Sequence, residues 1–199
     1  MSTSTSSRSP DEHRDYTLAA MPLFGVFSSY LASSERIGGD VFGRASWFPF
    51  VFGGTAVAMG AASLASGRVV NRVDVERLIG RVFLAYSAAC VVLVVVAVVA
   101  HGRPGFWPYL LVLVAVLATH NVLFPNMSAA AMEPVGHVAG TAAAIFATAS
   151  TAVGAIVGTR IDGAFDDTVN PFSWAFLIAA VVSGLLVLYA WGGGDRPPG

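Results

Sequence analysis

The stretch Val82–Ala100, VFLAYSAACVVLVVVAVVA, decides the fold class. It contains no charged side chain, and it reaches the roughly 18 residues that a helix needs to cross a bilayer. Its second half is apolar at every position, whereas a strand of a membrane barrel would alternate apolar and polar residues. Because a backbone in lipid must satisfy its hydrogen bonds within the segment, this stretch predicts a transmembrane helix.

Composition supports the same class of protein. Of the 199 residues, 55% are hydrophobic and 12% are charged, and mean hydropathy is +0.69; soluble domains carry about 25% charged residues. The net charge of −1 does not indicate the excess of basic residues that nucleic-acid-binding proteins carry. The single cysteine, Cys90, leaves no partner for an intrachain disulfide and no thiol set for zinc. We expect neither a cofactor nor a metal.

Five further apolar segments flank the first one. The predicted membrane helices cover residues 16–32, 47–64, 82–100, 106–131, 138–161 and 172–191. Residues 1–15 are polar and lack the apolar core of a signal peptide, so they are predicted to be a disordered tail, as are residues 192–199. The predicted architecture is an all-α membrane protein with one six-helix transmembrane domain, residues 16–191.

Arginines predict the orientation of the helices. One side, formed by the tails and the loop at residues 68–81, carries Arg8, Arg14, Arg68, Arg72, Arg77, Arg81 and Arg196. The other side carries fewer: Arg36, Arg44, Arg103 and Arg160. Cytoplasmic loops are richer in arginine, so both termini are predicted to be cytoplasmic in a multi-pass protein of the cell membrane.

Small residues predict which helices pack closely. The fifth segment contains Gly140, Gly154 and Gly158, and the last two form a GxxxG pair that lets helix backbones approach. The third and sixth segments are bulky and suit lipid-facing positions. We therefore expect helices one, two, four and five to form the packed interior. The recurrence of this character every three helices is typical of a 3+3 inverted repeat.

Three blocks of sequence carry a family resemblance. The block Pro125–Ala144, PNMSAAAMEPVGHVAGTAAA, resembles the tenth and eleventh helices of Bcr/CflA-type drug-resistance transporters of the major facilitator superfamily. Phe24–Gly53 is similar to the seventh helix, the following loop and the start of the eighth. The loop from Gly67 and Arg68 to Asn71 and Arg72 is similar to the gating-loop signature of that superfamily, with Asn71 where the signature has an acidic residue.

The resemblance implies a C-terminal six-helix half of a twelve-helix transporter. It implies that the partners are membrane lipid, a small-molecule substrate, protons and a second six-helix half, either another copy or a separate chain. Its function would be export of small amphipathic compounds by alternating access, as in proton-coupled multidrug antiporters. A truncated or split transporter remnant, or an assembly partner without transport activity of its own, fits the missing half equally well.

Polar residues inside the helices are the candidate site. His120, Asn121 and Asn126 on the fourth helix, with Tyr30 on the first, are candidates for the substrate path, because polar groups in membrane helices usually face a cavity or a partner. The alternative for His120 and the asparagines is hydrogen bonding between helices, which we favour. Pro125 removes one backbone hydrogen bond and predicts a bend in the fourth helix.

Other classes of function have weaker support. An intramembrane serine protease of the rhomboid type needs a Gly-x-Ser-Gly nucleophile, and the sequence has none, so we expect no enzyme. The acidic stretch IDGAFDD, residues 161–167, lacks the ligand spacing of an EF-hand and is predicted to be a solvated loop. A channel is a weaker alternative, since neither an Asn-Pro-Ala pair nor a filter-like loop occurs.

Overall fold

The computed structural model describes residues 10–70, 75–132 and 139–193, and within them the chain is helical without any strand. Its long helices are α1 (Pro10–Arg36), α2 (Phe48–Val70), α3 (Val75–Val99), α4 (Phe106–Met132), α5 (Ala139–Gly163) and α6 (Asn170–Gly193). Between α1 and α2 lie a π-helical turn, Ile37–Val41, and a 3-10 turn, Ala45–Trp47.

Four helices in the described part of the chain are long and apolar enough to cross a membrane. These spans are Ala45–Arg68, Arg77–Val99, Phe106–Ala129 and Asn170–Tyr189, which correspond to α2, α3, α4 and α6. The all-helical membrane class is thereby supported, while membrane crossing by α1 and α5 stays a prediction. The α1 sequence is polar at both ends, and α5 consists largely of Ala, Gly and Thr, so both contain less apolar surface than the Val-rich α3.

Helix α1 begins earlier than the sequence analysis expects. The predicted tail extends to residue 15, but the structure has helix from Pro10 onward; residues 1–9 lie outside the described residues, as do residues 194–199 of the other predicted tail. Proline is favoured in the first helical turn, where its missing N–H leaves no bond unmade. The acidic residues that follow it in sequence, Asp11 and Glu12, suit the same turn. Hydropathy alone does not register these signals.

The predicted arginine-rich loop at residues 68–81 is mostly helix. Helix α2 continues to Val70 and α3 already begins at Val75. Arginine is a good helix former, and the helix extends beyond the apolar run that marks the bilayer. Arg68, which lies in the last turn of α2, donates from its guanidinium to the Leu64 carbonyl oxygen over 3.3 Å.

Helices α1 and α4 form the centre of the bundle. Helix α1 packs on α4, α5 and α6, while α4 packs on α1, α2 and α3, and α3 also contacts α6. Helices α2 and α5 each rest mainly on one neighbour, α4 and α1 respectively. The expectation that α2 and α5 belong to the packed interior is therefore wrong for this chain by itself. Each exposes most of its surface.

The bulky residues of α3 and α6 behave only partly as expected. Both helices pack against the centre through one face, which includes Tyr86 and Leu93 on α3 and Phe176 on α6. Their opposite faces expose large apolar side chains: Leu84, Val91, Val92, Val95, Val98 and Val99 on α3, and Ile178, Val181, Val182, Leu185, Leu188 and Tyr189 on α6. An apolar outer face of this kind suits contact with lipid.

Close approach of helices occurs between α1 and α5. A Cβ on Gly154 would lie 3.1 Å from Ser28 Oγ and 3.6 Å from the Gly25 Cα, so little more than a hydrogen fits there. At Gly158 the nearest atom would be the Ser29 Cα at 3.9 Å. A Cβ on Gly140 would meet no atom of the described residues within 4 Å, so the structure gives Gly140 no close contact among them.

The turn after α3 is fixed against the start of α6. Gly102 has φ +80°, a conformation that favours glycine, and its carbonyl oxygen accepts from the Val169 N–H over 3.0 Å. The Thr168 hydroxyl oxygen accepts from the Asn170 N–H over 3.2 Å, which forms a side-chain turn just before α6. These bonds tie together the two turns at the same end of the bundle.

Candidate functional site

His120 lies in the middle of the bundle, on the face of α4 that meets α1 and α3. It is 2% exposed. Its ring stacks on Phe27, with ring centres 5.2 Å apart and planes 14° apart, and it lies 5.7 Å from the ring of Tyr86. Phe124, one turn along α4, is parallel to it at 6.0 Å. The candidate site residue is therefore enclosed by aromatic rings.

Both sequence interpretations of His120, as a residue of the substrate path and as an interhelical hydrogen-bonding residue, stay predictions. The residue does not line either of two cavities found among the described residues, and its Nδ1 has no hydrogen-bond partner there. The expected hydrogen bond from His120 to a neighbouring helix is thus not seen at Nδ1. The ring packs against α1 and α3 through Phe27 and Tyr86.

Asn121, the next residue, forms hydrogen bonds to a neighbouring helix. Its Nδ2 donates to the Met59 carbonyl oxygen over 3.0 Å and to Ser63 Oγ over 2.6 Å, both on α2. These bonds connect α2 to the central helix α4. Since α2 contacts little else, Asn121 holds a helix in place.

Asn126 and Pro125 act locally within α4. Asn126 Nδ2 donates to the Val122 carbonyl oxygen of its own helix over 2.6 Å. Pro125 lies inside α4, and the helix continues through it to Met132. Neither residue lines the two cavities found among the described residues. Their assignment to the substrate path stays a prediction.

The predicted gating loop is only partly described. Gly67 and Arg68 belong to α2, and Asn71 and Arg72 lie outside the described residues. Arg68 is exposed at the end of α2. The structure therefore leaves the role of this loop as an expectation.

Tyr30 is the candidate that lines a cavity, which we call the aromatic cavity. This cavity has a volume of about 60 Å³ and lies between α1, α2, α4 and the start of α6. Its walls include Tyr30, Phe42, Phe48, Phe52, Thr55, Phe106, Tyr109 and Phe172, with Arg44 at one side. A cavity that binds benzene has about 150 Å³ by this kind of measure, so the enclosed volume of the aromatic cavity suits only small groups or a few water molecules.

Both tyrosine hydroxyls of the aromatic cavity have partners. The Thr55 hydroxyl donates to the Phe52 carbonyl oxygen over 2.8 Å, so Tyr30 is the donor in its 3.2 Å bond to Thr55. Likewise, Ser173 donates to the Val169 carbonyl oxygen over 2.8 Å, so Tyr109 donates to Ser173 over 3.1 Å. With both hydroxyls hydrogen-bonded, the surface of the cavity is largely apolar.

Most residues of the aromatic cavity were not predicted as site residues. The segment Phe42–Phe52 contains five aromatic residues in eleven, and this density is the signal that could have located the site. The sequence analysis uses Arg44 only to predict the orientation of the helices, because the sequence does not show that its loop folds back over the helix ends. No group of His, Cys, Asp and Glu suited to a metal occurs among the described residues.

The arrangement is that of a helical membrane protein with a small aromatic cavity, and it fits a membrane transporter. The chain is 26% identical over 171 residues to the bicyclomycin resistance protein homolog of Haemophilus influenzae. The match covers 85% of this chain and 42% of that protein, so the chain spans less than half the length of this relative. No family model and no solved structure matches the chain.

Proposed function

We propose that this chain is a six-helix half of a transporter that exports small amphipathic compounds by alternating access. The observation that carries the proposal is the match to a bicyclomycin resistance protein homolog, which covers 85% of this chain and 42% of the relative. A half of this type moves substrate when it rocks against a second half around a shared site.

The helix contacts support a 3+3 inverted repeat, with each of α1, α2 and α3 equivalent to the helix three places later. Under this exchange the α1–α5 contact becomes the α4–α2 contact, and the α1–α6 contact becomes the α4–α3 contact. The α1–α4 and α3–α6 contacts map onto themselves. The α1 and α4 helices run in opposite directions, since Phe24 faces Phe124 while Phe27 faces His120.

A second six-helix half, from another copy or a separate chain, would cover the open faces of α2 and α5. On α2, Phe50 is 79% and Val57 73% exposed; on α5, Ile145 is 66% and Ile156 64% exposed. Glycines of the same helices, Gly53, Gly60 and Gly140, have open space at their Cβ positions. Such a mixture of apolar and small residues suits a close helix–helix interface in lipid.

Proton coupling would require a titratable group on the substrate path. His120 is the titratable side chain of the described midmembrane region that could exchange a proton at neutral pH, and aromatic rings enclose it. A proton carrier in the second half is the alternative. The protein would lie in the cell membrane with both termini in the cytoplasm, as the arginine distribution predicts.

An efflux assay tests the proposed function. The chain is expressed in a bacterial strain that lacks its main drug pumps, either alone or with an N-terminal six-helix half of the same transporter type. Retention of amphipathic dyes and growth in their presence are measured. We expect lower retention when both halves are present, or with the chain alone if it forms homodimers.

Unchanged retention in both cases, with the chain present in the membrane, would overturn transport by this half. It would favour the second candidate, a remnant or an assembly partner without transport activity of its own. That candidate draws on the same observation, since the chain spans only 42% of the relative.

A further inference from the structure

A groove lies between α2 and α3, with α4 as its floor. Helices α2 and α3 both pack on α4 but hardly contact each other, so a space remains between them. Its volume is about 250 Å³, more than the roughly 150 Å³ of a cavity that takes benzene. Along this α2–α3 groove the three helices present small or apolar side chains: Ala62, Val82, Ala85, Ala118, Thr119 and Val122.

The floor of the α2–α3 groove suits an apolar chain better than a polar solute. The Thr119 hydroxyl bonds to carbonyl oxygens of its own helix, 2.7 Å from that of Ala115 and 3.0 Å from that of Val116. The neighbouring Asn121 donates to Ser63 Oγ over 2.6 Å and so holds α2 at the edge of the groove. The groove is therefore formed before any ligand arrives, which lowers the entropic cost of binding.

Arg81 is the cation at one end of the α2–α3 groove. It is exposed and directly precedes the apolar run that begins at Val82, so its guanidinium can reach the level of the lipid head groups. No carboxylate among the described side chains forms an ion pair with it. An excess of arginine beside a membrane helix attracts anionic lipid. Residues 67–81 have this excess, with Arg68, Arg72, Arg77 and Arg81 against Asp74 and Glu76.

The α2–α3 groove is separate from the surface proposed for a second half. At about 100° per residue, Ala62 lies roughly 140° around α2 from Val57, which belongs to the open face of that helix. Helix α5, the other helix of that surface, contributes no residue to the groove. A ligand can therefore occupy the groove with or without a second half.

We propose that the α2–α3 groove binds one anionic phospholipid, with its phosphate on Arg81 and part of an acyl chain along Ala62, Ala85 and Ala118. Arginine binds phosphate through charge-assisted hydrogen bonds, and the volume of the groove accommodates a segment of acyl chain. The lipid comes from the leaflet on the arginine-rich side, which the sequence predicts to be cytoplasmic. It fills the space between α2 and α3 and so supports α2, which otherwise rests mainly on α4.

Native mass spectrometry of the full chain tests this binding. The protein is freed of lipid in detergent and titrated with phosphatidylglycerol or with phosphatidylcholine of the same acyl chains, and the species with one bound lipid is quantified. We expect phosphatidylglycerol to bind about fivefold more tightly, since one arginine near the membrane surface provides about that preference for an anionic lipid.

Substitutions separate the charge of Arg81 from the shape of the groove. R81Q should weaken phosphatidylglycerol binding about fivefold and remove the preference, whereas R81K should retain it. R103Q is the matched control, because Arg103 is an exposed arginine in the turn at the other end of α3. A85L narrows the groove and should weaken binding of both lipids. A88L adds the same bulk at an exposed residue of α3 that does not line the groove, and should leave binding unchanged.

Equal affinity of the wild type for the two lipids would overturn the proposal, as would an unchanged preference in R81Q or an equal loss in R81Q and R103Q. Equal binding by A85L and A88L would also overturn it, since the lipid would then lie elsewhere. A protein dimer that A85L alone disrupts would assign the groove to a helix of a second copy instead.

These outcomes are independent of the efflux assay, because binding of lipid requires neither transport nor a second half. Arg81-dependent lipid binding without efflux would leave the site intact and remove the transport function. Efflux of amphipathic dyes without Arg81-dependent lipid binding would do the reverse.

Discussion

His120 is a buried polar residue in the middle of a predicted membrane helix, where a polar side chain is costly unless its neighbours accommodate it. The rings of Phe27 and Phe124 lie nearly parallel to it, at interplanar angles of 14° and 5°. Its Nδ1 has no partner in the described part of the chain. In this structure the imidazole contributes mainly as a flat ring that fills the space between α1, α3 and α4.

Replacement of His120 separates its shape from its polarity. H120F keeps a flat ring against Phe27 and Phe124, so we expect thermal stability in detergent close to that of the wild type. H120A leaves a cavity among three helices and should destabilise the protein by about 2–4 kcal/mol. Circular dichroism melts of the three proteins measure this difference. If H120F were as unstable as H120A, a polar contact of the imidazole would be essential and the packing interpretation would fail.

The helices themselves show how far hydropathy determines structure. All six apolar segments correspond to long helices, since the runs around Val82–Ala100 and Phe172–Trp191 can satisfy their backbone only as helices in lipid. Helix ends were harder to predict. Helix α1 begins at Pro10 and α3 at Val75 because charged residues at helix ends are compatible with helix formation, although they mark the end of the apolar run.

The α1–α5 contact allows a test of the packing prediction at the level of helices. G154L places a side chain where the Ser28 Cβ would be 3.2 Å from the new Cβ, so the helices must separate. We expect a loss of about 1–3 kcal/mol, as overpacking typically costs. G140L is the matched control on the same helix, since no atom of the described residues lies within 4 Å of a Cβ at Gly140. Detergent melting curves compare the two.

Equal destabilisation by G154L and G140L would show that leucine disturbs α5 wherever it is placed, and the close contact would not be the cause. A stable G154L would show that α1 and α5 can separate without cost. Either result would remove Gly154 from the residues that position α5.

At the scale of the whole molecule, the sequence predicted the membrane class and the helix positions but not the site. Tyr30 was a predicted cavity residue, and it lines the aromatic cavity. Arg44 and Phe106 could not be assigned from sequence, because their proximity depends on a turn after α1 folding back onto the start of α4. Similarly, which helices are central follows from contacts between residues far apart in the chain, and hydropathy contains no such information.

Cysteine crosslinking tests whether the open faces of α2 and α5 meet a second half. In a C90A background, which removes the buried native thiol, single cysteines replace Gly60 on α2 or Ile156 on α5, and membranes are treated with an oxidant or a short bifunctional crosslinker. The matched control is L185C on α6, where Leu185 is 61% exposed on the face expected to contact lipid. We expect crosslinked products from G60C and I156C but not from L185C.

A product of twice the chain mass identifies a homodimer, and another mass identifies a separate partner chain. Random collision in the membrane would crosslink all three variants alike, since it depends on exposure alone; that result, or the lack of product from G60C and I156C, would contradict a second half on this face.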